Sequence, residues 1–104
     1  MRLYVDIDGQ LCTLVSSLKY DEAKPILENI KKVNYWFKLG HYVVLWTARG
    51  QGSGIDWGDV TRDQLERWGV FYNELCFDKP LFDVFFDDKS RNLNDVCVED
   101  FLYE

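Results

Sequence analysis

Nitrogen and sulfur ligands for a metal are scarce in this chain, which has one histidine, His41, and three cysteines, Cys12, Cys76 and Cys97, at wide and unequal spacing. With no CxxC pair and no histidine at ligand spacing, the pattern indicates neither a zinc site nor a disulfide framework, and the cysteines read as reduced, mostly buried thiols. No apolar run approaches the ~18 residues that a membrane span requires. Nor does a charged, apolar and small-residue leader precede the first strand-like segment. Both absences predict a soluble, cytoplasmic protein with no membrane partner. Basic residues are outnumbered 18 to 12, for a formal charge of -6. That balance disfavours non-specific binding to nucleic-acid backbone, and a bound divalent cation would offset part of it. Linkers, repeats and low-complexity stretches are missing as well. Residues 1–104 therefore read as one domain, too short for a core plus a second, substrate-covering domain.

What is present is an apolar fraction of 47% and an aromatic fraction of 16%, the composition of a folded globule whose aromatic residues sit mainly in its core. "RLYV" (2–5) is a short strand pattern that ends in Asp6, Asp8 and Gly9. "GQLCTLVSSLKYDEAK" (9–24) has no helical period and reads as a small hairpin or flap. From Pro25, the residues Ile26, Ile30, Val33 and Phe37 form an apolar stripe at helical spacing, with Glu28 near the positive end of the dipole and Gly40 placed to end the helix. "HYVVLW" (41–46) is a continuous apolar strand of the kind covered on both faces. "TARGQGSGIDWG" (47–58) is a glycine-rich loop and "DVTRDQLERWG" (59–69) a short helix. "NELCF" (73–77) and "DVFFD" (83–87) are third and fourth strands, and "SRNLNDV" (90–96) is one more helical turn. This order predicts an open α/β sheet of about four parallel strands, a small Rossmann-like three-layer sandwich.

Ligands of such sheets bind beyond the carboxyl ends of the strands. Strand one ends in Asp6 and Asp8, strand two in Thr47, strand three is followed by Asp78 and Lys79, and strand four ends in Asp87 and Asp88. Carboxylates gathered on one rim need a counter-charge, because like charges a few ångströms apart oppose each other's ionisation. An oxygen-only donor set points to magnesium rather than zinc. Magnesium, a hydroxyl and a lysine together suit a phosphoryl group, whose oxygens need several positive or donor partners during transfer.

"DIDG", then "VVLWT", a lysine and "VFFDD" in that order resemble the haloacid dehalogenase superfamily of phosphotransferases over nearly the whole chain. The resemblance implies a two-step phosphatase in which Asp6 attacks phosphorus to form an aspartyl-phosphate, while Asp8 protonates the leaving oxygen and then activates water. It further implies that the Asp6 carboxylate, the Asp8 backbone carbonyl and Asp87 hold Mg2+, with Asp88 a direct or water-mediated ligand. Thr47 and the following backbone, at Ala48, would bind the phosphoryl oxygens, and Lys79, preferred to Lys89 by its order in the chain, would neutralise their charge. Chemically, a carboxylate nucleophile divides one hard displacement into two easier ones, and a neighbouring carboxyl shuttles the proton. Gln10 departs from the Thr or Val frequent after this motif in the family. Asp83 lies ~13 Å from Asp87 at strand rise and reads as structural, as does His41.

Larger members of that superfamily insert a cap after strand one or strand three, and neither connection here has room for one. Specificity must then come from the flap (10–20), the glycine loop (49–58) or a partner. Arg49 is a candidate for a substrate group and Trp57 for a stacking face, with a surface charge and a helix-start packing residue as the alternatives. The expected substrate is a small phosphorylated metabolite such as a sugar phosphate, since "WTARG", the glycine loop and "IDW" resemble sugar-phosphate phosphatases of surface-polysaccharide pathways. A polynucleotide-end or phosphoprotein phosphatase, and a catalytically silent interaction domain, are the alternatives. A receiver domain carries similar residues in a different order.

Overall fold

The computed structural model describes residues 1–102. Three parallel strands, β1 (Arg2–Val5), β2 (Tyr42–Trp46) and β3 (Glu74–Cys76), lie in the order β1-β2-β3. Helix α1 (Leu27–Lys38) connects the first pair and α2 (Gly58–Arg67) the second. Single 3-10 turns occupy Tyr20–Glu22, Leu93–Asp95 and Val98–Phe101. No helix among the described residues is long and apolar enough to cross a membrane.

Register explains the core. Leu3 lies beside Val43, and Val5, Leu45 and Leu75 form one row across the sheet. Because side chains alternate along a strand, these five share a face, and they join one cluster with Ile30, Val33 and Trp36 of α1 and Leu65 of α2. Two polar residues interrupt the buried helical faces, each with a partner. Asn29 of α1 donates to the Gln10 carbonyl at 2.8 Å and to Asn94 Oδ1 at 2.8 Å. Gln64 of α2 belongs to the functional site. Gln10 itself has a structural task, since its side-chain oxygen accepts the Leu93 N–H at 2.8 Å.

His41 is buried, with Nδ1 3.0 Å from the Met1 nitrogen and Nε2 2.6 Å from the Phe101 carbonyl. It ties the chain ends to the start of β2, a structural role. The cysteines are all free; Cys12 is buried, Cys76 half-buried and Cys97 exposed, so burial is less general than the composition predicts.

Two expectations are corrected. Among the described residues the sheet has three strands rather than four, because residues 83–87 form no strand and every residue from 81 to 90 is exposed. Within that segment Phe86 is 92% and Val84 66% exposed, and Phe82 and Phe85 lean on each other at 5.2 Å between ring centroids. The architecture also has one helical layer among the described residues, not two, since α1 and α2 bury their side chains in the same cluster. The opposite face bears Tyr4 against Trp46 in edge contact at 5.8 Å and Arg2 over the Tyr42 ring at 4.8 Å. An apolar run reads as a doubly covered strand only where two layers exist to cover it. β2 still buries Val43, Val44 and Leu45, because it is the central strand of the three.

Two substitutions separate core from segment in chemical denaturation. Leu45→Ala is expected to cost ~2–5 kcal/mol as a buried truncation, whereas Phe86→Ser should stay within ~0.5 kcal/mol as a surface change. A loss of several kcal/mol from Phe86→Ser would mean that the segment packs as a strand after all.

Candidate active site

Directly after β1 the chain abandons extended geometry. The Ile7 N–H donates to Asp6 Oδ1 at 2.9 Å, and the Ile7 carbonyl accepts the Leu11 N–H at 2.9 Å. Gly9 stands at φ 84°, in the left-handed region that other residues rarely adopt, and so permits the tight exit. The turn leaves Asp6 and Asp8 in one cavity of about 330 Å³, which Ala48, Arg49 and Lys79 also line. Leu14, Tyr20, Leu81 and Phe82 give it an apolar rim.

Each carboxylate faces its own cation. Lys79 Nζ lies 3.4 Å from Asp6 Oδ2. The lysine is held from behind, because its backbone N–H donates to the Thr47 carbonyl at 3.2 Å and its ammonium lies near the faces of Trp46 and Phe82, 5.7 and 5.4 Å from their centroids. Trp46 in turn donates to Asp78 at 3.0 Å, which fixes the turn after β3. Burial raises the Asp6 carboxyl above its ordinary value; Lys79 and the Ile7 N–H oppose that rise, and the neighbouring Asp8 adds to it.

Asp8 is gripped by Arg49 through both oxygens, Nε to Oδ2 at 3.0 Å and Nη2 to Oδ1 at 2.9 Å. A guanidinium has five N–H donors. The remaining three point to Thr61 Oγ1 at 2.9 Å, Gln64 Oε1 at 2.7 Å and Cys12 Sγ at 3.7 Å. Gln64 passes the connection on by donating to the Tyr20 carbonyl at 2.6 Å, and the Tyr20 ring lies 4.7 Å from the guanidinium carbon. The Arg49 side chain has no exposed surface. Its N–H groups are therefore spent inside the protein, and the substrate contact expected of it gives way to an internal one. Trp57, preceding α2, meets Tyr20 edge-on at 5.1 Å and acts as the helix-start packing residue rather than a stacking face.

The other expected residues divide. Ala48 lines the cavity. Thr47 is buried and its hydroxyl accepts the Arg49 N–H at 3.1 Å, so it shapes the turn after β2 without lining the cavity. Asp87 and Asp88 are exposed in the segment that forms no strand, where Asp87 accepts from Ser90 Oγ at 3.4 Å, and neither lines the cavity. Lys89 is exposed there too. Among the described residues no three carboxylate, histidine or cysteine side chains gather as a metal group. With Asp6 facing Lys79 and Asp8 facing Arg49, the two acids present do not fit a magnesium site without further oxygen donors.

Tyr20, Thr61 and Gln64 were not foreseen from the sequence. The available signal was a polar interruption in an amphipathic helix, since Thr61 and Gln64 share the buried face of α2 with Leu65. Tyr20 gave none, lying in a segment without periodicity.

No family model matches the chain, and no curated protein matches it. Among solved structures it is similar to an MCSG target from Vibrio cholerae, at a TM-score of 0.80 and 24% identity over 95% of this chain and 91% of that one. The likeness establishes a shared small α/β fold built on a parallel sheet.

Two outcomes follow from the Arg49 network. Arg49→Ala should destabilise the protein by roughly 3–5 kcal/mol in urea unfolding, because it strands Asp8 and the Thr61 and Gln64 oxygens. Burial first, and the Asp8 charge second, push the Cys12 thiol up to about 12. A raised folded value means that the neutral thiol contributes its stability fully below the ordinary thiol range and loses it as pH climbs towards 12. At pH 8, mass spectrometry after iodoacetamide should therefore find Cys97 alkylated and Cys12 intact until urea is added.

Proposed function

We propose that this protein is a phosphomonoester hydrolase, a phosphatase that works through an aspartyl-phosphate on Asp6 and acts on a small phosphorylated metabolite. The single observation that carries the reading is the pair of Asp6 and Lys79 at 3.4 Å in an open cavity beyond the carboxyl ends of β1 and β3. Support comes also from the resemblance of "DIDG", "VVLWT", Lys79 and "VFFDD" to the haloacid dehalogenase superfamily.

Asp6 and Lys79 divide the first step between them. An Asp6 oxygen forms the new bond to phosphorus as the bond to the leaving oxygen breaks, and the Lys79 ammonium balances the phosphoryl charge. In the second step water attacks the acyl phosphate. Asp8 is the other carboxylate in the cavity, held in place by Arg49, and is the group that takes the proton from that water. That proton is the one Asp8 returns to the leaving oxygen in the first step of the next turnover. Magnesium belongs to the proposal as a requirement on Asp6, Asp8, Asp87 and Asp88. It needs the last two brought to the cavity, and no step above is routed through it.

A second reading, a catalytically silent interaction domain, has one observation in its favour. Leu81, which lines the cavity, and Val84, Phe85 and Phe86, which follow it in the chain, are all exposed, an apolar stretch suited to a protein partner.

Phosphate release from sugar phosphates, nucleotides, phosphopeptides and 3′-phosphorylated oligonucleotides, with magnesium and with chelator, tests the proposal. Asp6→Asn is expected to lower release by at least ~10³-fold while the variant remains folded by circular dichroism. Equal release by both proteins would remove Asp6 as nucleophile, and inertness of the wild type across the panel would favour the interaction domain.

A further inference from the structure

Both helices cover the same face of the sheet, and among the described residues no second helical layer covers the other. That is rare for parallel strands, which are almost always packed on both sides. Alternation along each strand builds the open face from the residues between the core positions. The register sets them in three rows: Arg2 beside Tyr42, then Tyr4, Val44 and Glu74, then Trp46 beside Cys76.

These rows have an apolar middle and charged edges. Val44 is buried yet stands outside the core cluster, with Tyr4, Tyr42 and Trp46 around it on the face. Tyr4 is 60% exposed and meets Trp46 edge-on at 5.8 Å. An aromatic surface left open on a folded domain marks an interaction site. Only two charges lie on it, Arg2 on β1 and Glu74 on β3, both exposed and both on outer strands of the sheet. They cancel, in a chain of formal charge -6. Two copies of the chain can therefore meet here with little like-charge repulsion across the contact.

We infer that this face pairs with the same face of a second copy, about a twofold axis parallel to β2. Under that symmetry β2 lies over β2, and β1 lies over the β3 of the other copy, with the sheets ~10 Å apart. Arg2 then stands one row, ~7 Å along the strand, from the second copy's Glu74. The symmetry makes the same pair again on the other side. An in-plane axis across the strands would set β3 over β3 and carboxylate against carboxylate, so the charges select the first arrangement. Each copy thus supplies both counter-charges that the other needs. The pairing takes nothing from the phosphatase reading.

The face is small beside the ~20–30 residues a side of a standard interface, so the dimer forms with rising concentration rather than permanently. Its apolar surface extends past Trp46 to Phe82, since the Lys79 ammonium lies 5.7 and 5.4 Å from the two ring centroids.

Sedimentation velocity of the full chain from ~5 to ~500 µM tests the pairing. The expected result is a shift from the mass of one chain to twice that mass. Arg2→Glu and Tyr4→Lys should each raise the dissociation constant about tenfold or more. Arg2→Glu combined with Glu74→Arg should bring it back towards the wild-type value, because the exchanged charges again face each other. All three positions are exposed, and circular dichroism should show every variant folded. A single-chain mass throughout would overturn the pairing, and so would a dimer that Arg2→Glu and Tyr4→Lys leave unchanged. Failure of the double exchange to restore association would overturn the Arg2–Glu74 contact and the axis with it. If the chain stays single, iodoacetamide on the half-buried Cys76 tells what has the face instead. Slow alkylation would assign it to the chain's own residues 81–90, and fast alkylation would leave it to a different protein.

Discussion

Arg49 is the interaction on which the candidate site depends. Its guanidinium binds the turn after β1 through Asp8, helix α2 through Thr61 and Gln64, and the buried thiol of Cys12, while its face lies near Tyr20. Three separate stretches of chain thus meet on one planar cation. A buried charge is tolerable only when its partners are in place, and losing one partner costs several kcal/mol because the other is left desolvated and unpaired. The arrangement is accordingly all-or-none. Asp8 keeps its position only if α2 docks and the segment before α1 folds over it.

That constraint assigns the two aspartates different surroundings although a single residue separates them. Asp8 looks inward, to an arginine with no exposed surface. Asp6 looks outward, to a lysine that is 16% exposed and held at the cavity wall by neighbouring aromatic rings. Two like charges coexist here because each has a separate counter-ion. An incoming anion meets the lysine rather than the arginine, since Lys79 Nζ still has donors to offer and the Arg49 N–H groups are engaged.

Much of the layout was legible in the residues. The stripe at Ile30 and Val33 predicted α1, and the run at 41–46 predicted a doubly covered central strand, because helix and strand periods are local properties of the sequence. Asp6, Asp8 and Lys79 were legible from their positions just beyond apolar runs, where a parallel sheet presents its carboxyl ends. The run at 83–87 has the same local pattern as β2 but a different fate. Whether an apolar run becomes a strand depends on a partner edge and a layer to cover it, and neither is written within the run itself.

Arg49 shows the same division most sharply. Its sequence neighbours, Ala48 and Gly50 in a glycine-rich loop, mark an exposed residue free to touch substrate, and every residue that contradicts this lies far away in the chain: Asp8, Cys12, Tyr20, Thr61 and Gln64. By itself the sequence determined three strands and two helices and placed Asp6, Asp8 and Lys79 beyond strand ends, since these follow from periodicity and from charge placed beside apolar runs. Only the tertiary structure decided which acid pairs with which cation, which residues wall the cavity, and that Asp87 and Asp88 stand apart from Asp6. Those outcomes are set by desolvation and by contacts between distant segments, and such contacts exist only once the chain has packed.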